Sequence, residues 1–322
     1  MKRKRLGRTE LKLPVIGLGT AFTGIPTPRQ TMSEYLQGDN QVDEELGVKT
    51  LVDALDTGYR FIDTAVLYGR ALSETMIGEA LRQRPQLRDE IIVTTKAGRT
   101  YEGFDFSFDG ILKSVYASLE RMGLDRMELV YIHDPMDFPM ADVLSDRGAL
   151  GALRHLQAQG VIRFVGTAAN DPATNLPYIG TGEFDAAVIA DSWSLINLTA
   201  ERGIFDAAQE HDVGLVVATA LERGLLVTGP IAGAEYLNRY FSPACLDQVR
   251  KIQRLCERYS IPMIAAALQW CGRHPQVTST IPGARISEEA SLSFSAVQID
   301  IPDAFWSELQ DLVKHFDTVT GN

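Results

Sequence analysis

Between Tyr59 and His133 the chain carries Tyr59-Arg-Phe-Ile-Asp-Thr-Ala65, then Ile91-Ile-Val-Thr-Thr-Lys96, then Glu128-Leu-Val-Tyr-Ile-His133. Each run is short, apolar and rich in residues that favour strands, and amphipathic segments separate them. That alternation predicts parallel strands joined by crossover helices. Outward from this stretch, similar runs recur at residues 15–20, 161–168, 185–191, 213–219 and 277–282, which brings the total to eight. The segments between them put apolar residues on one helix face, as at Val48, Leu51, Val52 and Leu55, and again at Leu112, Val115, Tyr116 and Leu119.

Eight strand–helix units with no Pro/Gly/Ser-rich linker predict an α/β chain folded as a single (β/α)8 TIM barrel over residues 1–322. Residues 4–8 and 11–14 flank a Thr9-Glu10 turn and predict an N-terminal β-hairpin within residues 1–14, expected at the barrel floor. Phe305, Leu309, Leu312 and Phe316 fall at helical spacing, so the extra C-terminal segment 302–322 is expected to be a docking helix with a tail. Three connections, 22–41, 134–146 and 220–243, are long. Each follows the C-terminal end of a predicted strand, the face where barrels of this kind carry their sites.

Composition narrows the function. The 31 basic residues against 42 acidic ones give a net charge of −11, which opposes binding of a polyanion, so no nucleic-acid partner is expected. No run approaches the ~20 apolar residues of a membrane span, and the basic start Met1–Arg5 leads into no apolar stretch, so a cytoplasmic protein is expected. Cys245, Cys256 and Cys271 form no close pair and are expected to be buried core thiols.

Asp63, Lys96 and His133 fall at the C-terminal ends of three successive predicted strands, and Tyr68 follows Asp63 by five residues. Adjacent parallel strands lie about 4.8 Å apart, so a carboxylate, an ammonium, an imidazole and a phenol can meet in one small volume. A free phenol is a poor acid at neutral pH, and a neighbouring ammonium favours its ionised form. The expectation is a general acid/base centre in which Lys96 lowers the pKa of Tyr68, Asp63 orients Lys96, and His133 holds a substrate oxygen. The other histidines, His155, His211, His274 and His315, lie on or near predicted helices and are expected to have no catalytic role.

The order and spacing of these residues resemble the aldo-keto reductase family. The resemblance is carried by Gly58-Tyr-Arg-Phe-Ile-Asp63-Thr-Ala-Val-Leu-Tyr68-Gly69 with Ser73-Glu74 and Ile77-Gly78, and by Ser118-Leu-Glu-Arg-Met-Gly-Leu-Asp125 leading to Leu129-Val-Tyr-Ile-His133-Asp-Pro135. It continues through Gly160-Val-Ile-Arg163, Val165-Gly166 and Asn170 to Ile281-Pro-Gly-Ala-Arg285, nearly the whole chain. It implies hydride exchange between a nicotinamide and a small carbonyl or alcohol substrate (an aldehyde, ketone or aldose), without a metal. The family's catalytic tetrad falls on Asp63, Tyr68, Lys96 and His133. No Rossmann G-x-G-x-x-G is present, as the resemblance implies, because this family holds its cofactor extended across a barrel mouth.

By the same resemblance Gly19, Thr20 and Asp63 border the nicotinamide, and Asn170 binds its carboxamide. Leu221, Arg223, Gly224 and Leu225 meet the pyrophosphate, and Gly283, Ala284, Arg285 and Glu289 the adenosine end. Ala169, Ala190, Glu289 and Ser293 depart from the family's usual residues. Arg285 favours the extra phosphate of NADP, whereas Glu289 favours NAD; NADP is expected, with NAD the alternative. Residues 190–195, Ala-Asp-Ser-Trp-Ser-Leu, look most like the branch of aldose, fucose or galactose dehydrogenases and pyridoxal dehydrogenase. Phe22, Tyr101, Phe104 and Trp193, with the loop around 236–241, are expected to contact substrate. The alternative function is a nucleotide-binding regulatory barrel with little turnover. A metal-dependent hydrolase using His133 and Asp134 lacks the H-x-H strand motif.

Overall fold

The computed structural model describes residues 1–26, 42–234 and 236–320. Strands β1 (Arg3–Arg5) and β2 (Lys12–Pro14) pair antiparallel as the hairpin expected from the sequence. The barrel strands are β3 (Leu18–Gly19), β4 (Phe61–Asp63), β5 (Ile92–Ala97), β6 (Met127–His133), β7 (Ile162–Ala169), β8 (Ala186–Ile189) and β9 (Gly214–Val217), followed after a short β10 (Arg239–Tyr240) by β11 (Val277–Thr280). They run parallel in the order β11-β9-β8-β7-β6-β5-β4-β3.

Backbone hydrogen bonds join the two ends of this sheet: Gly17 N–H donates to Thr280 O at 2.8 Å, Thr280 N–H to Val15 O at 3.1 Å and Gly19 N–H to Pro282 O at 3.0 Å. The (β/α)8 barrel is thereby closed, with no free edge. The first strand is shorter than expected, because beyond β3 its pairing to β11 is by single bridges such as Ile16 with Thr280.

Period-2 alternation sorts the strand side chains into two cores. Outward-facing residues such as Ile62, Val93, Val130, Val165 and Ala187 pack under the helices. Inward-facing Phe61, Leu129, Tyr131, Ala168, Val188 and Val216 fill the barrel together with Leu6, Leu11 and Leu13 of the hairpin. A side chain at Gly166 would put its Cβ 2.3 Å from the Tyr131 ring, so the missing side chain makes room for that ring. The hairpin sits at the floor: Lys4 Nζ donates to Gly272 O at 2.6 Å and Val277 O at 2.8 Å, and Arg8 pairs with Asp185, all near the starts of strands.

Helices Glu44–Thr57 and Phe108–Met122 carry the two apolar faces read from the sequence, except that Tyr116 is 48% exposed and donates its hydroxyl to Gln159. The C-terminal helix is shorter than expected, Asp303–Gln310. The chain then leaves the helix because its backbone finds other partners, Lys314 N–H on Leu195 O and Phe316 N–H on Ile196 O. It ends with β12 (Val319–Thr320) paired antiparallel to β10. The expected connection 22–41 lies outside the described residues beyond residue 26. The three cysteines are buried and free, and among the described residues no helix is long and apolar enough to cross a membrane.

Candidate active site

Asp63 ends β4, Lys96 is the penultimate residue of β5, and His133 ends β6. Each lies on the interior face one step above a core position, Asp63 above Phe61 and His133 above Tyr131. Lys96 is buried and its ammonium donates to the Asp63 carboxylate, to Thr64 O at 2.8 Å and to the Tyr68 hydroxyl at 3.2 Å. The Thr94 hydroxyl donates to the other Asp63 oxygen at 2.9 Å.

Tyr68 reaches this point from a tight turn in which Gly69, Arg70 and Ala71 all take left-handed backbone, φ 57, 55 and 70. Two of these are not glycine, so the turn holds strain of about 1 kcal/mol or more per residue. The edge of one aromatic ring faces the other between Tyr68 and His133, with centroids 6.0 Å apart at 89°. A hydroxyl chain supports the turn from behind: Ser73 donates to Thr20 at 2.8 Å and lies 2.9 Å from the Thr64 hydroxyl. All four residues singled out in the sequence therefore meet at the barrel mouth.

Burial raises the Tyr68 pKa above the ordinary tyrosine value, Lys96 pulls it back in part, and Asp63 adds to the rise. The net direction corrects the expectation that Lys96 would leave this phenol more acidic than usual: desolvation of the anion outweighs the attraction of the ammonium. For Lys96, burial disfavours the charge, but Asp63 and Tyr68 overcome it and the pKa is raised. His133 is held well below its ordinary value by burial, then by Lys96 and Arg99, so its imidazole is neutral at pH 7.

Small residues occupy the neighbouring strand ends: Gly19 and Gly283 are bridged to one another, Ala169 ends β7, and Ala190 and Ala218 directly follow β8 and β9. A Cβ at Gly19 would lie 2.9 Å from Ile281 O. Thr20 donates its hydroxyl to Asp63 O at 3.1 Å, and Ala284 O accepts from Thr23 at 2.8 Å. Leu221 leads into a left-handed turn through Glu222, Arg223 and Gly224, which starts the short helix at Leu225. Arg223 donates to Leu237 O at 3.1 Å and Asp191 Oδ2 at 3.2 Å, while its buried Nε has no partner. Arg285 Nη2 pairs with Glu289 at 2.5 Å, and its backbone N–H donates to the same carboxylate at 2.8 Å.

The expected substrate residues divide. Tyr101 and Phe104 are exposed, 43% and 44%, on the loop after β5; the Arg70 guanidinium lies 3.8 Å from the Tyr101 ring centroid, and Phe104 packs 5.4 Å from Phe138. Phe22 lies beside Gly283 at the mouth, where its ring would be 3.5 Å from an added Cβ. Trp193 corrects the expectation. It is 4% exposed, stacks on Trp270 at 4.4 Å, meets Phe205 edge-on at 4.8 Å and donates its indole N–H to Cys271 O at 3.2 Å, so it packs between the helices Ile204–Glu210 and Met263–Arg273.

Residues 15–314 match the profile of the Aldo/keto reductase family. The chain belongs to the aldo/keto reductase family. It is 27% identical to a pyridoxal 4-dehydrogenase of Microbacterium luteolum, over 96% of each chain. It is 36% identical to an L-galactose dehydrogenase of Arabidopsis thaliana, over 80% of this chain and 79% of that one. A solved aldo-keto reductase from Bacillus halodurans, in its holo form, superposes with a TM-score of 0.77 at 26% identity, covering 98% of this chain and 97% of the other. The protein is thus an oxidoreductase of CH–OH and carbonyl groups, in a family that uses nicotinamide cofactors. The residues present fit such a group: Gly19 and Gly283 leave backbone without side chains at two adjoining strand ends, and the buried Nε–H of Arg223 has no partner.

Two sets of pairings at this reductase's mouth are absent from the sequence expectations. Asp134, directly after His133, receives the Arg99 guanidinium and the Asn170 side chain. Asp191, Glu222 and Arg239 form a buried ion network with Arg223, and Ser194 donates to Glu222. The adjacency of Asp134 to His133 was a usable signal; nothing in the sequence pairs Arg239 with Asp191.

Proposed function

We propose that the protein is a nicotinamide-dependent oxidoreductase of a small aldehyde, ketone or aldose in which Tyr68 is the general acid/base. The observation that carries this reading is the 3.2 Å contact of the Tyr68 hydroxyl with Lys96 Nζ, the same ammonium being fixed by Asp63. The bound nicotinamide would supply or accept the hydride. Tyr68 gives its proton to the carbonyl oxygen in reduction and takes it back in oxidation, and Lys96 steadies the phenolate that forms. His133, neutral, donates one hydrogen bond to the same oxygen and so fixes the carbonyl in place. Gly19, Thr20 and Asn170 would hold the nicotinamide end, Leu221, Arg223, Gly224 and Leu225 the pyrophosphate, and Gly283, Ala284 and Arg285 the adenosine.

Arg285 by its charge favours NADP, but its guanidinium is engaged: Nη2 on Glu289 and Nη1 on Pro26 O at 3.2 Å. A carboxylate beside it accepts hydrogen bonds from a ribose diol and repels a phosphate, which supports NAD. Phe22, Tyr101 and Phe104 offer aromatic faces to a substrate ring.

The test measures binding and turnover separately. Quenching of nicotinamide fluorescence on mixing with NADH and NADPH reads binding; aldehydes with reduced cofactor and L-galactose, L-fucose and pyridoxal with oxidised cofactor read turnover. Tyr68→Phe is expected to keep dinucleotide binding and to lose about 10²–10⁴-fold in kcat. Unchanged turnover in that variant would sink the mechanism, and binding by the wild type without turnover on any substrate would favour the regulatory reading.

A further inference from the structure

Asp134 ties together three strand ends at the mouth. It follows His133, adopts left-handed backbone (φ 49) although it is not glycine, and is 2% exposed. Its Oδ1 accepts the Asn170 backbone N–H at 2.9 Å; its Oδ2 accepts the Asn170 side-chain amide N–H at 3.1 Å and the Arg99 guanidinium. The same Oδ2 lies 3.6 Å from His133 Nε2, while His133 Nδ1 is buried without a partner.

These contacts restrict both neighbours. A carboxylate paired with arginine only accepts hydrogen bonds, so the Asn170 amide must turn its NH2 inward and leave its carbonyl oxygen facing away. The imidazole has two choices of N–H. A proton on Nε2 is favoured by the negative charge 3.6 Å away, too far to hold it in a hydrogen bond and so leaving it free for a substrate oxygen, whereas a proton on Nδ1 would be a buried donor with nothing to receive it, and such orphans are costly. We propose that Asp134 is a positioning residue that sets the Asn170 amide with its oxygen toward the mouth and the His133 imidazole as the Nε2–H tautomer.

What those two orientations accomplish rests on the function proposed above: a donor for the substrate oxygen and an acceptor for the amide N–H of a nicotinamide. The orientations themselves do not depend on that function and can be measured without cofactor. In protein labelled with 15N in its histidine rings, the His133 signals are identified by their loss in His133→Gln. Wild type is expected to show the Nε2–H tautomer. Asp134→Asn is expected to enlarge the Nδ1–H share about tenfold, to weaken NADH binding about tenfold through Asn170, and to lower kcat roughly 10²-fold. Asn170→Ala separates the two arms, weakening NADH binding but leaving the tautomer as in wild type.

A wild-type His133 in the Nδ1–H form overturns the proposal, as does an Asp134→Asn protein with unchanged tautomer and unchanged binding. Should that variant fail to fold, the wild-type spectrum still decides. Should the wild type bind no dinucleotide, the functional reading falls while the tautomer continues to judge Asp134.

Discussion

At the scale of the residue, the consequential fact is that burial outweighs the neighbouring ammonium at Tyr68, leaving its pKa raised. The phenol keeps its proton through neutral pH. In the proposed function it would thus be ready as an acid for carbonyl reduction, and as a base for alcohol oxidation only after the proton is lost. The kcat/KM for reduction is expected to stay level from about pH 6 to pH 9 and to fall only above the ordinary tyrosine range near 10, whereas that for oxidation climbs with pH over the same interval. Neutral His133 adds no titration above pH 7, because its pKa is depressed. Parallel profiles for oxidation and reduction, measured on one substrate pair, would show that some other group moves the proton.

At the scale of the element, the helix Ser287–Ala296 decides what charge is presented around Arg285, the place proposed for the adenosine. Glu289 in its first turn reaches back to both the backbone N–H and the guanidinium of Arg285, while Gly24 N–H donates to Arg285 O at 3.0 Å. One carboxylate therefore both neutralises the arginine and fixes the turn that leads into the helix. Glu289→Gln removes the negative charge that neutralises the guanidinium, so the ratio of NADPH to NADH affinity is expected to rise about tenfold, equivalent to about 1.4 kcal/mol. Fluorescence titrations of both cofactors against wild type and variant check this; an unmoved ratio would mean that the ribose is read elsewhere.

At the scale of the whole molecule, the barrel separates what holds it together from what it does. Leu13 of the hairpin is fully buried in the cluster that fills the barrel with Phe61, Leu129 and Tyr131, while Asp63, Lys96 and His133 stand at or next to the C-terminal ends of their strands. Leu13→Ala is expected to cost about 2–5 kcal/mol in urea unfolding and to leave NADH affinity unchanged. A large loss of affinity would show that floor and mouth are coupled.

Strand periodicity and strand-end position are local properties of the chain, so the eight strand–helix units, the hairpin, and the meeting of Asp63, Tyr68, Lys96 and His133 were legible before folding was considered. The packed chain adds that Trp193 lies between helices, that the last helix stops at Gln310, that Arg285 is neutralised by Glu289, and that Asp134 gathers Arg99 and Asn170. Each of these depends on what lies opposite a side chain or backbone group after folding. Desolvation and long-range pairing are set there, and no spacing along the chain encodes them.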